Sequence, residues 1–354
     1  MTPTTAPLAQ PPELQVPPPG TERASEPPEP PPQSPAERVG EPARIDRHAL
    51  RRRVITLALL SLCLIGALLA VPDLQPVSRE IAAMNPIFVA AAVALELASC
   101  LSFVVIFRLF FRPLPTLEAH EMAWAQMGSG ALLPGGGVGS VAVGGWLLHL
   151  AGMPTRQIVQ RSSGLFFLTS AINVLTLAAA AAALWLGIAD GPHDALRDGL
   201  PVIAAVSVIV FVLVLPRLTR TVSKQHPGAR WLDDVGAGIP AARIALAHPS
   251  WRLIGGMGYL LFDIGVLWIT FAAVGPPPPA APLIVAYLVG YLANAVPIPG
   301  GIGVLDAGLA GALALYGLPL THAAAAVLVY HAIAFWIPTA GGTLAYIPLG
   351  RHLT

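Results

Sequence analysis

Apolar runs long enough to cross a bilayer recur along this chain, and no single soluble core can bury them all. They fall at residues 54–71, 87–107, 162–186, 200–215, 253–274 and 323–347. A helix needs about 20 apolar residues to span the roughly 30 Å hydrocarbon core. Within that core every backbone polar group must be paired, which runs of this length achieve as helices. Composition agrees: 55% of the residues are hydrophobic and 11% are charged, against about 25% charged in a soluble domain. The predicted fold class is all-α integral membrane, with about six transmembrane helices.

Two further apolar regions, 119–151 and 281–316, are interrupted. The first is broken at Leu133-Pro134-Gly135-Gly136-Gly137, the second at Pro297-Ile298-Pro299-Gly300-Gly301-Ile302-Gly303. Proline removes a backbone donor and glycine costs about 1 kcal/mol in a helix, so neither helix runs through. Each half is short for a crossing. The reading is two re-entrant helical hairpins, whose broken tips are tolerable at membrane depth only where protein or water surrounds them.

Loop charge orients the spans through the positive-inside rule. Arg44, Arg47, Arg51, Arg52 and Arg53 precede the first span, and Arg217, Arg220, Lys224, Arg230, Arg243 and Arg252 follow the fourth. Asp190, Asp194 and Asp198 lie between spans three and four. This layout predicts a multi-pass protein of the plasma (inner) membrane with both termini cytoplasmic. Lys224 is the sole lysine among 20 basic residues, an arginine bias in keeping with a GC-rich bacterial genome. Residues 1–43 are rich in Pro, Glu and Ser and are expected to be a disordered cytoplasmic tail, for want of apolar area to offset ordering entropy. The membrane domain is expected at 44–350. No cleavable signal peptide is expected, since the first apolar run follows a long polar tail. Cys63 and Cys100 fall inside apolar spans and read as small packing residues.

The two interruptions resemble each other. PGGGVGSVAVGGWLLHLAGMP runs from Pro134 to Pro154, and PGGIGVLDAGLAGALALYGLP from Pro299 to Pro319. Pro134 pairs with Pro299, Gly152 with Gly317 and Pro154 with Pro319, at a constant offset of 165 (299 − 134). Each half then reads as span, span, broken hairpin, span: repeat one over 54–188, repeat two over 200–348. Three crossings is an odd number, so the halves are predicted to be inverted repeats. Such repeats with broken helices near the midplane are typical of secondary transporters.

Candidate binding residues follow from this layout. Helices restart after the breaks, near Val138 and Val304, and a helix N-terminus presents free N–H groups and partial positive charge. Gly135, Gly136, Gly137, Gly300, Gly301 and Gly303 are therefore expected to line an anion site suited to a lipid phosphate. Glu96 and Asp263 sit at the centres of spans two and five, and the offset carries Glu96 to within two residues of Asp263. A carboxylate at the bilayer centre costs about 2.5–3.5 kcal/mol on insertion scales, so such acids carry protons, hold a cationic headgroup, or bond a structural partner. Asp306 lies in the first turn of the second restarted helix, where an acid suits the dipole. Arg161 opens span three, as a binding residue or as a mere marker of the cytoplasmic interface, and His331 lies within span six as a proton carrier or a packed histidine. His149 and Asn294 flank the breaks and are expected to satisfy backbone groups. No Lys-Ser/Thr follows the glycines as in a P-loop, no His/Cys cluster has metal-ligand spacing, and no Ser/His/Asp arrangement stands out. No catalytic residue, metal or cofactor is expected. The net charge of +1 gives no sign of nucleic-acid binding.

The segment Asn294-Ala-Val-Pro-Ile-Pro-Gly-Gly-Ile-Gly-Val-Leu-Asp306, with Tyr316-Gly-Leu-Pro319 and Phe335-Trp-Ile-Pro338, resembles the lysylphosphatidylglycerol synthase transmembrane (flippase-like) family over roughly residues 54–350. In that family the membrane domain looks like a phospholipid flippase, sometimes fused to an aminoacyl transferase, and its usual second-block acid matches Asp306. The chain departs from the pattern at Ser140 and Gly144, where members usually carry Glu and Arg, and at Tyr330-His331, where many carry Arg. The resemblance implies the membrane domain alone, without the transferase, and no enzyme. It implies a flippase-like transporter moving a phosphate-bearing lipid between leaflets. The alternative is a non-transporting scaffold for a separate lipid-modifying enzyme. Expected partners are membrane lipids (phospholipid or another phosphate-bearing lipid), with the Pro-rich tail offered to a protein partner and homo-oligomerisation left open.

Overall fold

The computed structural model describes residues 70–352, apart from 134–136, 193, 226–230, 249 and 296–300; ahead of residue 70 only isolated positions are described. The Pro-rich tail and most of the expected first span, 54–71, lie outside the described residues. Among the described residues, five helices are long and apolar enough to span: Pro86–Phe110, Thr155–Trp185, Leu196–Thr219, Leu253–Val274 and Leu320–Leu349. The chain is an all-α, multi-pass membrane protein. Each of these spans matches an expected one, the third starting seven residues early (162 − 155) because Thr155 follows directly on the N-cap Pro154.

In chain order the helices are α1 (Gln75–Ala82), α2 (Pro86–Phe110), α3 (Thr116–Leu132), α4 (Gly137–Leu150), α5 (Thr155–Trp185), α6 (Leu200–Gln225), α7 (Trp231–Gly236), α8 (Gly238–Ala247), α9 (Leu253–Val274), α10 (Ala280–Gly290), α11 (Val304–Leu315) and α12 (Leu320–His352). The interrupted regions are helix pairs, α3–α4 and α10–α11, as their Pro/Gly breaks dictate. A 3-10 turn, Tyr291–Ala295, extends α10. The stretch between α6 and α9, expected as a basic loop, folds into the short helices α7 and α8, which pack on α5.

Both hairpins end in the same turn, bond for bond. Gly152 donates to the His149 carbonyl at 2.9 Å and Met153 to Leu148 at 3.1 Å; Gly317 donates to Ala314 at 3.0 Å and Leu318 to Leu313 at 3.2 Å. This is the Schellman closure, which puts its C′ residue in the left-handed region where glycine has no Cβ penalty. Gly152 and Gly317 have φ of 81° and 89°. The following helices, α5 and α12, begin at residues 155 and 320, again 165 apart (320 − 155).

Packing repeats in the same way. α2 lies against α9 at the centre, α3 against α12 as α10 lies against α5, and α1 against α12 as α8 lies against α5. Exchanging the halves leaves this set of neighbours unchanged. Small residues permit the contacts, as in membrane bundles that lack a hydrophobic drive between helices. A Cβ on Gly255 of α9 would lie 2.6 Å from the Ser102 carbonyl oxygen of α2, and one on Gly128 of α3 would lie 2.9 Å from Gly342 Cα of α12. The core runs through Phe107, Met122, Leu147, Leu168, Leu267 and Tyr330. α6 instead exposes Ile203, Val206, Val210 and Leu213, the apolar surface lipid would cover.

Candidate functional site

Close packing of α2 on α9 sets the first cluster. Gly255 and Gly258 bring the backbones together, and Ser99 Oγ donates across to the Tyr259 carbonyl at 2.9 Å. Glu96 of α2 is 4% exposed. Its Oε1 faces the Cys100 thiol one turn on, at 3.5 Å, and its Oε2 is buried without a hydrogen-bond partner. Asp263 of α9 lies near enough for the two carboxyls to interact electrostatically. Asp263 accepts from two phenols: Tyr287 of α10 through Oδ2, and Tyr330 of α12 at 3.2 and 3.1 Å. The two rings pack edge to face with centroids 6.1 Å apart. Burying a carboxyl is costly unless hydrogen bonds compensate. The phenols supply them for Asp263, while Oε2 of Glu96 goes without.

The second cluster is the next residue along α12. Successive residues on a helix point about 100° apart, so Tyr330 turns to Asp263 and His331 to α11. His331 Nδ1 lies 2.6 Å from Asp306 Oδ1, and both residues are buried. Asp306 Oδ2 also accepts from the Gly303 amide at 2.8 Å, closing the capping box of α11. Gly301 and Gly303 have φ of 66° and 84°, values that a side chain strains to adopt. This helix end was predicted to present a free positive dipole to a phosphate; Asp306 already sets a carboxylate there.

Residues that flank the two breaks come together beside this pair. Leu132, at the end of α3, packs with Phe335 of α12, and Ala131 and Ile302 lie against them. Phe335 is one turn beyond His331, with ring centroids 6.2 Å apart. Within the first hairpin, Ser140 Oγ donates to the Gln126 carbonyl at 3.0 Å and ties α4 to α3. Gly144 leaves room for Gln126, whose Oε1 would lie 2.6 Å from an added Cβ. The residues at which the chain departs from the resembled pattern thus close the hairpin or bond the buried acids.

Of the other predicted site residues, Gly135, Gly136 and Gly300 lie outside the described residues, and Gly137 opens α4. His149 is exposed in the last turn of α4, too far along the helix to serve the break. Asn294 falls in the 3-10 turn after α10. Arg161 stands apart from the acids: it lines a cleft among the ends of α2, α5 and α8, whose wall includes none of the other candidates. Sequence reasoning missed Tyr287, the roles of Tyr330 and Cys100, and Glu121 of α3, which is buried with Oε2 unpaired. Cys100 was legible in part, being four residues from Glu96 and so on the same helix face. Among the described residues, no group of three His, Cys, Asp or Glu side chains is placed to hold a metal ion.

Comparison with known proteins bears on this arrangement. Over 99 residues the chain is 36% identical to a protein named "UPF0104 membrane protein" from Methanothermobacter thermautotrophicus. The match covers 28% of this chain and 28% of that relative. The profile of the family described as "Lysylphosphatidylglycerol synthase TM region" matches residues 54–342, taking in both hairpins, both acid clusters and all five described spans up to the last turns of α12. The chain belongs to the lysylphosphatidylglycerol synthase TM region family.

Proposed function

We propose that this protein is a flippase-like transporter that moves a phosphate-bearing lipid between the leaflets of the bacterial plasma membrane. Both termini are cytoplasmic in this reading, and the two halves are inverted, with one hairpin entering from each face. The observation that carries it is the meeting of two interrupted hairpins at Phe335, inside a membrane bundle and beside buried ionisable groups. Non-helical backbone at membrane depth is tolerated only within protein or along a wet cavity. Ionisable side chains there mark substrate or ion pathways by default. Glu96, Asp263, Asp306 and His331 line the path, the acids balancing a proton or cationic moiety while the lipid crosses. Family membership supports the lipid as cargo, since lysylphosphatidylglycerol is one.

Reconstitution in vesicles carrying fluorescent phosphatidylglycerol tests the proposal. The native chain is expected to exchange the probe between leaflets. Glu96→Gln combined with Asp263→Asn is expected to slow exchange at least about tenfold, the effect of about 1.4 kcal/mol on the barrier. Exchange no faster than in empty vesicles would overturn transport, and an unaffected double variant would overturn the role of the acids.

A further inference from the structure

The cleft that holds Arg161 has the chemistry of a phosphate site. It encloses about 480 Å³ between the C-terminal end of α2, the second turn of α5, and α8 with the turn that follows it. Gly164, one helical turn beyond Arg161, closes the floor: a Cβ there would lie 2.7 Å from the Phe110 ring and 3.4 Å from Ala241 Cβ. α2 and α8 therefore converge on α5 at Gly164, one turn beyond Arg161. Arg112 and His248 complete the polar wall, together with Ser250. Two of these groups are left wanting. Arg161 NH1 and Ser250 Oγ are both buried without a hydrogen-bond partner.

A buried donor left unpaired costs about 1–3 kcal/mol, more for a charged group, so a guanidinium in that state calls for an anion. The neighbouring acids do not supply one. No carboxylate lines the cleft; Asp234 of α7, which bonds to α5, is taken by Arg156 at 3.1 Å and Gln160 at 2.9 Å. Guanidinium forks match phosphate oxygens, and Arg112, exposed at the mouth, is free to swing onto the same anion. The rest of the wall is apolar, with Leu109, Phe110 and Ile244, which suits the glycerol and first methylenes of a lipid better than a soluble ion. The cleft lies at the end of the span α2 and among arginines, the setting in which anionic headgroups meet basic residues.

We infer that Arg112, Arg161 and Ser250 form a binding site for a phosphate ester, held as the headgroup of a membrane lipid, at the mouth of the α2–α5–α8 cleft. The site does not depend on transport: a protein that held the lipid here without moving it would leave this inference intact and sink the proposed function.

The test is binding to the purified full chain in detergent, followed by native mass spectrometry with dioleoyl phosphatidylglycerol and, in parallel, with the uncharged dioleoyl glycerol. Phosphatidylglycerol is expected to bind and diacylglycerol to bind at least about tenfold more weakly, in line with one charged hydrogen bond. Arg161→Gln and Arg112→Gln are each expected to lose about tenfold. Arg161→Lys, which keeps charge but not the fork, should fall between, and its unchanged circular-dichroism melt would show that the fold is intact. Arg156→Gln, on the same helix but outside the cleft, should bind as the native chain does. Competition with inorganic phosphate separates the sources. Displacement only by the lipid places the phosphate on a headgroup; displacement by millimolar phosphate, lost in Arg161→Gln, keeps the site but assigns it a soluble ester. Equal binding of the two lipids, or phosphatidylglycerol binding untouched by both arginine substitutions, overturns the inference.

Discussion

The Asp306–His331 pair is the most exacting place to test the geometry, because both groups are buried and each bond has a separable energy. Asp306→Ala removes the acceptor of the Gly303 amide and the partner of His331. Loss of a helix cap costs about 0.5–2 kcal/mol, and loss of the buried histidine contact about 1–3 kcal/mol. The single substitution should therefore destabilise by about 1.5–5 kcal/mol, a span that takes in the cost of about 3–5 kcal/mol for removing one partner of a buried pair. His331→Phe removes the other side and leaves Asp306 with its Gly303 bond, at about 1–3 kcal/mol. If the two side chains bond as described, the double variant costs less than the sum, because each single change already forfeits the shared contact. A coupling of at least about 1.5 kcal/mol is expected. Unfolding in mixed micelles by titrated sodium dodecyl sulfate, followed by circular dichroism, gives the four free energies. Additivity to within about 0.5 kcal/mol would refute the pair, since unconnected sites add to that tolerance.

Other consequences follow from the same contacts. Gly255→Val should destabilise by about 1–3 kcal/mol through overpacking, because the added atoms meet the backbone of Ser102 and Ile106; Gly265→Ala, whose Cβ would meet Leu95 Cδ1 at 3.4 Å, should be tolerated in the same unfolding assay. Tyr330→Phe withdraws one phenol from Asp263 and should cost about 1–3 kcal/mol, with slower lipid exchange if the acid lies on the path; native stability would contradict the hydrogen bond. Arg156→Gln should change stability by less than about 1 kcal/mol, since the Arg156 side chain is 78% exposed and its bond to Asp234 lies in solvent.

The sequence was most informative where backbone chemistry rules. Clustered proline and glycine break a helix, so the breaks before α4 and α11 and their glycine-closed ends were legible, as was the offset that relates them. Long apolar runs located the five described spans, with starts differing by up to seven residues (162 − 155). What stayed hidden depends on packing between distant segments. Nothing in the spacing of Asp263, Tyr287 and Tyr330 says that three helices aim them at one point. Arg161 read as the opening residue of a span, and its cleft stayed hidden because it is built by α8, a ten-residue helix inside a stretch that read as a basic loop. Glu121 escaped notice because it lies at the very start of the interrupted apolar region, with Glu118 and His120 beside it.

The account rests on two halves lying upside down relative to one another. Thr155 and Leu320 are equivalent positions, each exposed at the start of the helix that follows a hairpin. Thr155→Cys and Leu320→Cys, each on a background with Cys63 and Cys100 replaced, can be labelled in intact cells and in inverted vesicles by a membrane-impermeant maleimide. Inversion predicts that the first is labelled only from the cytoplasmic side and the second only from the outside. Labelling of both from the same side would contradict it.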